Sequence, residues 1–243
     1  MDLKIIPKIP FKEKDIEHLK KIILFAEELL NENKISIPKE IYFYNSFEKF
    51  IKKVVIEVET YNFGKKVSEE IIKCALNNGT YGTLNFKEDA IIEINFNPFK
   101  NGFYPSLEFL ELLIHETLHL HLYKRLNKNV NSLKFKFDKE NFIGNEEIIQ
   151  FDEGYAEFMT DKILKSFDKS KIENIAIPRF SKEKPNYKKF IDNINIEKFD
   201  KNFEKLVISN RNKGLKIFNK NFNSTSTNKE ILDFTIEKLK RII

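Results

Sequence analysis

His115-Glu116-Thr117-Leu118-His119 sets two imidazoles four residues apart, with a carboxylate beside the first. On an α-helix, residues four apart stand one turn above each other, so both rings can face one ion while Glu116 lies next to it. The chemistry this spacing serves is zinc binding by two histidines, with the glutamate as base toward a water molecule. The chain has 4 histidines, and three of them, His115, His119 and His121, fall in this short stretch. Two imidazoles and a carboxylate on so apolar a helix are costly unless something compensates them, and a bound cation does. His121 is turned by about 200° from His119 around the helix, so it is expected to serve structure or a partner rather than the same ion.

A catalytic zinc takes three protein ligands and keeps a fourth position for water. No histidine follows His121, and Cys74 stands in an apolar run, so the third ligand must be a carboxylate. The extended motif with a third histidine is absent, because Leu122 and Arg125 stand where glycine and histidine would be required. Downstream, Glu153, Glu157 and Asp161 form one line at helical spacing. One of them can ligate the ion while the next, a turn along, holds a ligand histidine in one tautomer.

HExxH followed by Glu153-Gly154-Tyr155-Ala156-Glu157 resembles the gluzincin metallopeptidases, the thermolysin-like group with a glutamate third ligand. The resemblance implies Zn2+ held by His115, His119 and Glu153, with Glu116 as general base and Glu157 behind a ligand histidine. Glu157 as the ligand, with Asp161 behind it, also fits the spacing. The likeness covers about Thr80 to Phe167 and implies an edge strand beside the site, for which Ala90 to Phe96 is the candidate. Such an edge would hold an extended peptide by main-chain hydrogen bonds. The chain departs from thermolysin-like members in having no histidine to steady the oxyanion; Tyr155 and Tyr187 are the tyrosines that could replace it, against ordinary packing roles for both. Residues 168–243 match no known pattern.

The elements that must position these residues follow from periodicity and punctuation. Glu13 to Asn33 has the apolar spacing of an amphipathic helix, and Ile41 to Tyr44 is a short β-rich run after Pro38. Ser46 and Ser68 are expected to cap helices over Phe47 to Tyr61 and Glu69 to Asn77. Thr80 to Phe86 and Ala90 to Phe96 predict a hairpin. Pro105-Ser106 with Glu108 opens a helix that runs to about Asn127, apolar on most of its circumference and hence buried. A polar connection over 127–145 leads to a helix from Glu146 to about Phe167, despite Gly154. Helical signals then weaken until Thr227-Asn228-Lys229-Glu230, a capping box for a last helix to Ile243. The expected fold is α+β and, by the resemblance, zincin-like. It has a small α/β part over 1–105 carrying an edge-strand hairpin, the active-site and glutamate helices over 106–167, and a helical part over 168–243, all in one compact unit.

Composition narrows the remaining classes. The 243 residues suffice for a sizeable core, 41% hydrophobic residues with 24 Phe predict a globular chain with a Phe-rich core rather than disorder, and 33% charged residues predict a heavily ionised surface. A single cysteine excludes an intrachain disulfide, and no leader or spanning segment is legible, so a cytoplasmic protein without a membrane partner is expected. The net charge of +5 comes from dispersed lysine rather than a basic arm, which speaks against nucleic acid as a partner. The expected partner is a peptide or protein substrate. The competing reading is a zinc-binding but latent or non-catalytic regulatory or binding protein with a gluzincin-like fold.

Overall fold

A computed structural model describes residues 1–6, 13–44, 81–85, 91–95, 103–126, 146–172, 176–178 and 201–242. Helices make up most of these residues, and the strands are short. The chain divides into two compact units, one of Met1–Phe25, Pro38–Leu110 and Lys169–Phe199, the other of Ala26–Ile37, Glu111–Asp168 and Asp200–Ile243.

The first unit holds the strands. Strands β1 (Asp2–Ile6) and β2 (Glu40–Tyr44) pair in parallel, with Leu3 opposite Ile41 and Ile5 opposite Phe43. Parallel neighbours need a long crossover, and helix α1 (Glu13–Glu32) lies in that connection. β3 (Tyr81–Asn85) and β4 (Ile91–Asn95) form the expected antiparallel hairpin. The sheet order is β1-β2-β4-β3. This corrects the expected edge strand: β4, within Ala90 to Phe96, pairs with β2 on its other side, and the open edge of the hairpin belongs to β3. The β2 pairing consumes the backbone groups of β4 that an incoming peptide would have used. A second, two-stranded sheet pairs β5 (Phe103–Pro105) with β6 (Ala176–Pro178).

The second unit is helical among its described residues. It contains most of α2 (Ser106–Leu126), with α3 (Glu146–Leu164), α4 (Lys201–Asn221) and α5 (Asn228–Ile242). Leu113, Ile114, Leu118, Leu120 and Leu122 are buried around nearly the whole of α2, as its composition requires. Buried Thr117 is satisfied by donating to the Leu113 carbonyl one turn back. The Phe-rich core appears here as a cluster of Phe151 and Phe158 on α3, Phe218 on α4, Phe222 just past its end, and Phe234 on α5. Edge-to-face pairs such as Phe218 with Phe234, centroids 5.9 Å apart, are the favoured geometry for packed rings.

Two glycines explain how closely α3 and α4 approach. A Cβ on Gly154 would lie 2.7 Å from the Gly214 Cα, and one on Gly214 would lie 2.1 Å from the Gln150 carbonyl oxygen. The helices therefore cross backbone against backbone, and only glycine fits at the crossing.

The helix termini follow local rules. At the start of α5 the Thr227 backbone N–H donates to Glu230 Oε2 at 2.7 Å, and the Glu230 N–H donates to Thr227 Oγ1 at 3.2 Å, which is the expected capping box. At the end of α1, Ile35 N–H bonds the Leu30 carbonyl and Lys34 N–H the Asn31 carbonyl, with Lys34 at φ 58°. This is a Schellman ending with lysine in the left-handed position usually given to glycine. Two residues on, Ser36 reaches α2, where its backbone N–H donates to His121.

Four expected features fall outside the described residues: the helices over Phe47 to Tyr61 and Glu69 to Asn77, the connection over 127–145, and Tyr187. Among the described residues, no helix is long and apolar enough to cross a membrane.

Candidate metal centre

α2 and α3 bring the three expected ligands together. One nitrogen each from His115 and His119 and a carboxylate oxygen of Glu153 all lie within 4.8 Å of one another. The two Nε2 atoms face each other at 3.0 Å, and Glu153 lies 3.5 Å from His115 Nε2 and 3.8 Å from His119 Nε2. Every one of these side chains is at least partly buried.

The far sides of both rings are held by carboxylates. His119 Nδ1–H donates to Asp152 Oδ1 at 2.8 Å, so Nε2 is the nitrogen turned toward His115. Asp152 in turn accepts from the Tyr123 hydroxyl at 2.5 Å. Burial and the adjacent Asp152 push that hydroxyl well above the usual tyrosine range, so it remains a donor. On the other ring, Glu157 Oε2 lies 3.5 Å from His115 Nδ1, and the same oxygen accepts a hydrogen bond from Arg211.

This donor set calls for positive charge. Burial opposes charge on His119, but the carboxylates of Asp152, Glu153 and Glu116 outweigh it and raise the ring to about 10. Burial likewise works to raise Glu153, yet the adjacent His115 and the charges of His119 and Arg211 bring it down to about 2. An ionised carboxylate and two converging Nε2 atoms share a gap that can take only one proton between the rings. A divalent cation satisfies all three atoms at once, and the residues present therefore fit a metal.

Glu116 is half-buried on the same helix. Burial raises its pKa above the usual carboxylate value, opposed by His119 and His115 and reinforced by Glu153 and Asp152.

The remaining expected residues are placed elsewhere. His121 is buried and accepts a hydrogen bond on Nδ1 from the Ser36 backbone N–H at 3.1 Å, so it ties the end of α1 to α2 and takes no part in the trio. Burial, with Arg125 and Lys124 close by, lowers it to about 4, and the ring is neutral. Asp161 is exposed. Tyr155 is only 1% exposed, packed in the core, two residues past Glu153 and so turned away from it on α3.

Three residues of the centre were not anticipated: Asp152, Tyr123 and Arg211. Tyr123 had a legible signal, since it follows His119 by four and continues the line of the two ligands. Asp152 precedes Glu153 directly and was hidden by attention to the line through Glu153, Glu157 and Asp161. Arg211 lies on a helix that the sequence did not announce. No family model, no curated protein and no solved structure matches the chain.

Proposed function

We propose that the chain is a zinc-dependent metallopeptidase of gluzincin type. The observation that carries this reading is the convergence of His115, His119 and Glu153 within 4.8 Å, one turn of helix away from or adjacent to the half-buried carboxylate of Glu116. Two imidazoles and one carboxylate are the catalytic rather than the structural pattern for zinc, because they leave a ligand position open. His115 and His119 would hold the ion through Nε2 and Glu153 through its carboxylate. Zinc bound there would supply Lewis acidity.

The chain's own residues then divide the work. Glu116 takes the proton of the attacking water and returns one to the leaving amine, as its upward-shifted pKa favours. Asp152 keeps the proton of His119 on Nδ1, which holds the ring in the ligating tautomer. Peptide bonds, rather than other acyl compounds, are the proposed substrate because HExxH followed by Glu-Gly-x-Ala-Glu resembles gluzincins.

The test is zinc content and cleavage of casein and a peptide library by the full chain. Glu116→Gln is expected to retain one zinc per chain and to lose at least ~100-fold in cleavage rate. Undiminished cleavage by that variant removes Glu116 as base. A wild-type chain that holds zinc yet cleaves nothing in either assay removes the peptidase reading and leaves a metal-binding protein.

A further inference from the structure

We propose that Arg211 is a positioning residue for the metal centre: through Glu157 it fixes the ring of His115, and by the same contact it keeps Glu157 out of the ligand set. This rests on the metal-centre reading above.

Glu153 and Glu157 stand one turn apart on α3, and the spacing alone would let either approach the ion. What separates them is α4. The Gly154 and Gly214 backbones meet at the helix crossing. Glu157 lies three residues after one glycine and Arg211 three residues before the other, so each is about one turn from the point of closest approach. Only a crossing this close brings an arginine of α4 onto a carboxylate that faces α2.

The Glu157 oxygen that Arg211 engages is the same Oε2 that lies 3.5 Å from His115 Nδ1. Two consequences follow. The carboxylate stays behind the ring, where it favours the proton on Nδ1 and the lone pair on Nε2. Its charge is also balanced by the guanidinium, so it gains less from moving to a cation than Glu153, which among the described residues has no arginine hydrogen-bonded to it. α4 thus reaches the centre through Arg211, and among the described residues it contributes no ligand. Arg211 is 42% exposed, which leaves the contact open to substitution without opening a hole in the core.

The experiment is zinc affinity of the full chain, measured by competition with a chromophoric chelator, for wild type, Arg211→Met, Arg211→Lys, Glu157→Gln and the double variant Arg211→Met with Glu157→Gln. Arg211→Met is expected to weaken zinc binding ~10-fold, the lower end for a partner behind a ligand. Arg211→Lys, which keeps the charge, should recover most of that loss. In the Glu157→Gln background Arg211→Met should add little, because the two residues act as one unit. Wild-type affinity in Arg211→Met, or losses that simply add in the double variant, would overturn the proposal. Should Arg211→Met fail to fold, Glu157→Gln carries the test alone, and unchanged affinity there overturns it equally. A wild type that takes up no zinc instead fells the metal-centre reading, and this inference with it.

Discussion

His119 and His115 stand one turn apart on α2, each with a carboxylate behind its ring, yet the two carboxylates are held by different means. Asp152 is buried, hydrogen-bonded to His119 at 2.8 Å and capped by the Tyr123 hydroxyl, both partners on α2. Glu157 stands at a longer 3.5 Å from His115 and is held by Arg211, which is half in solvent and comes from α4. The buried arm is built from the helices that already carry the ligands, and so it forms whenever those helices pack. The open arm depends on a third helix. A charge-assisted contact with an exposed partner is also weaker than one shielded from water. On the metal-centre reading proposed above, the buried arm sets whether a metal is held, and the open arm how one ring is aimed.

Removing the crossing should break the comparison most severely. Gly214→Ala puts a Cβ 2.1 Å from the Gln150 carbonyl oxygen and 2.7 Å from the Gly154 Cα, so α4 must shift away from α3. Helix propensity alone would credit this change with about 1 kcal/mol of added stability. Overpacking reverses the sign, with an expected net loss of about 3 kcal/mol in denaturant unfolding. The displacement withdraws Arg211 from Glu157 while leaving Asp152 and Tyr123 in place. A stabilised Gly214→Ala chain would show that the helices do not touch there, and the open arm would lose its structural basis.

Next in size is the buried arm itself. Asp152→Asn keeps the shape but removes the charge behind His119, and zinc affinity should fall ~100-fold, toward the upper end for such partners. The chelator competition that measures Arg211→Met serves here too, and the ranking is the point. Asp152→Asn costing no more than Arg211→Met would erase the distinction between the arms.

How much of this was legible in the sequence divides along the same line. The ligand helix announced itself, because two histidines and a glutamate at helical spacing lie in a run that is apolar all round. The capping box of α5 and the Schellman-tied end of α1 also rest on neighbours within a few residues, and the former was read correctly from Thr227 and Glu230. α4 was not read. Gly214 weakens its helical signal, and the reason for that glycine lies some sixty positions away at Gly154, where no local rule can see it. β1 escaped for a related reason: five residues before Pro7 gain their identity only from parallel pairing with β2 across a whole helix. Arg211 was invisible because its helix had no bounds in the sequence, whereas Tyr123 stood in helical register with His119 and Asp152 stood directly beside Glu153.

The smallest expected effect gives the finest test of the buried arm. Tyr123→Phe removes the hydroxyl that Asp152 accepts from, while the ring stays packed. A single hydrogen bond is worth about 1 kcal/mol net, so zinc affinity should fall about three- to fivefold. The direction follows from what the hydroxyl does: it holds Oδ2 so that Oδ1 stays aimed at His119 Nδ1, and without it the carboxylate can rotate about its own axis. In the Asp152→Asn background the same change should matter less, because the group being oriented has already lost its charge. If Tyr123→Phe weakens zinc as much in that background as in the wild type, the tyrosine acts by packing alone. The buried arm then ends at Asp152, and the two arms differ only in depth.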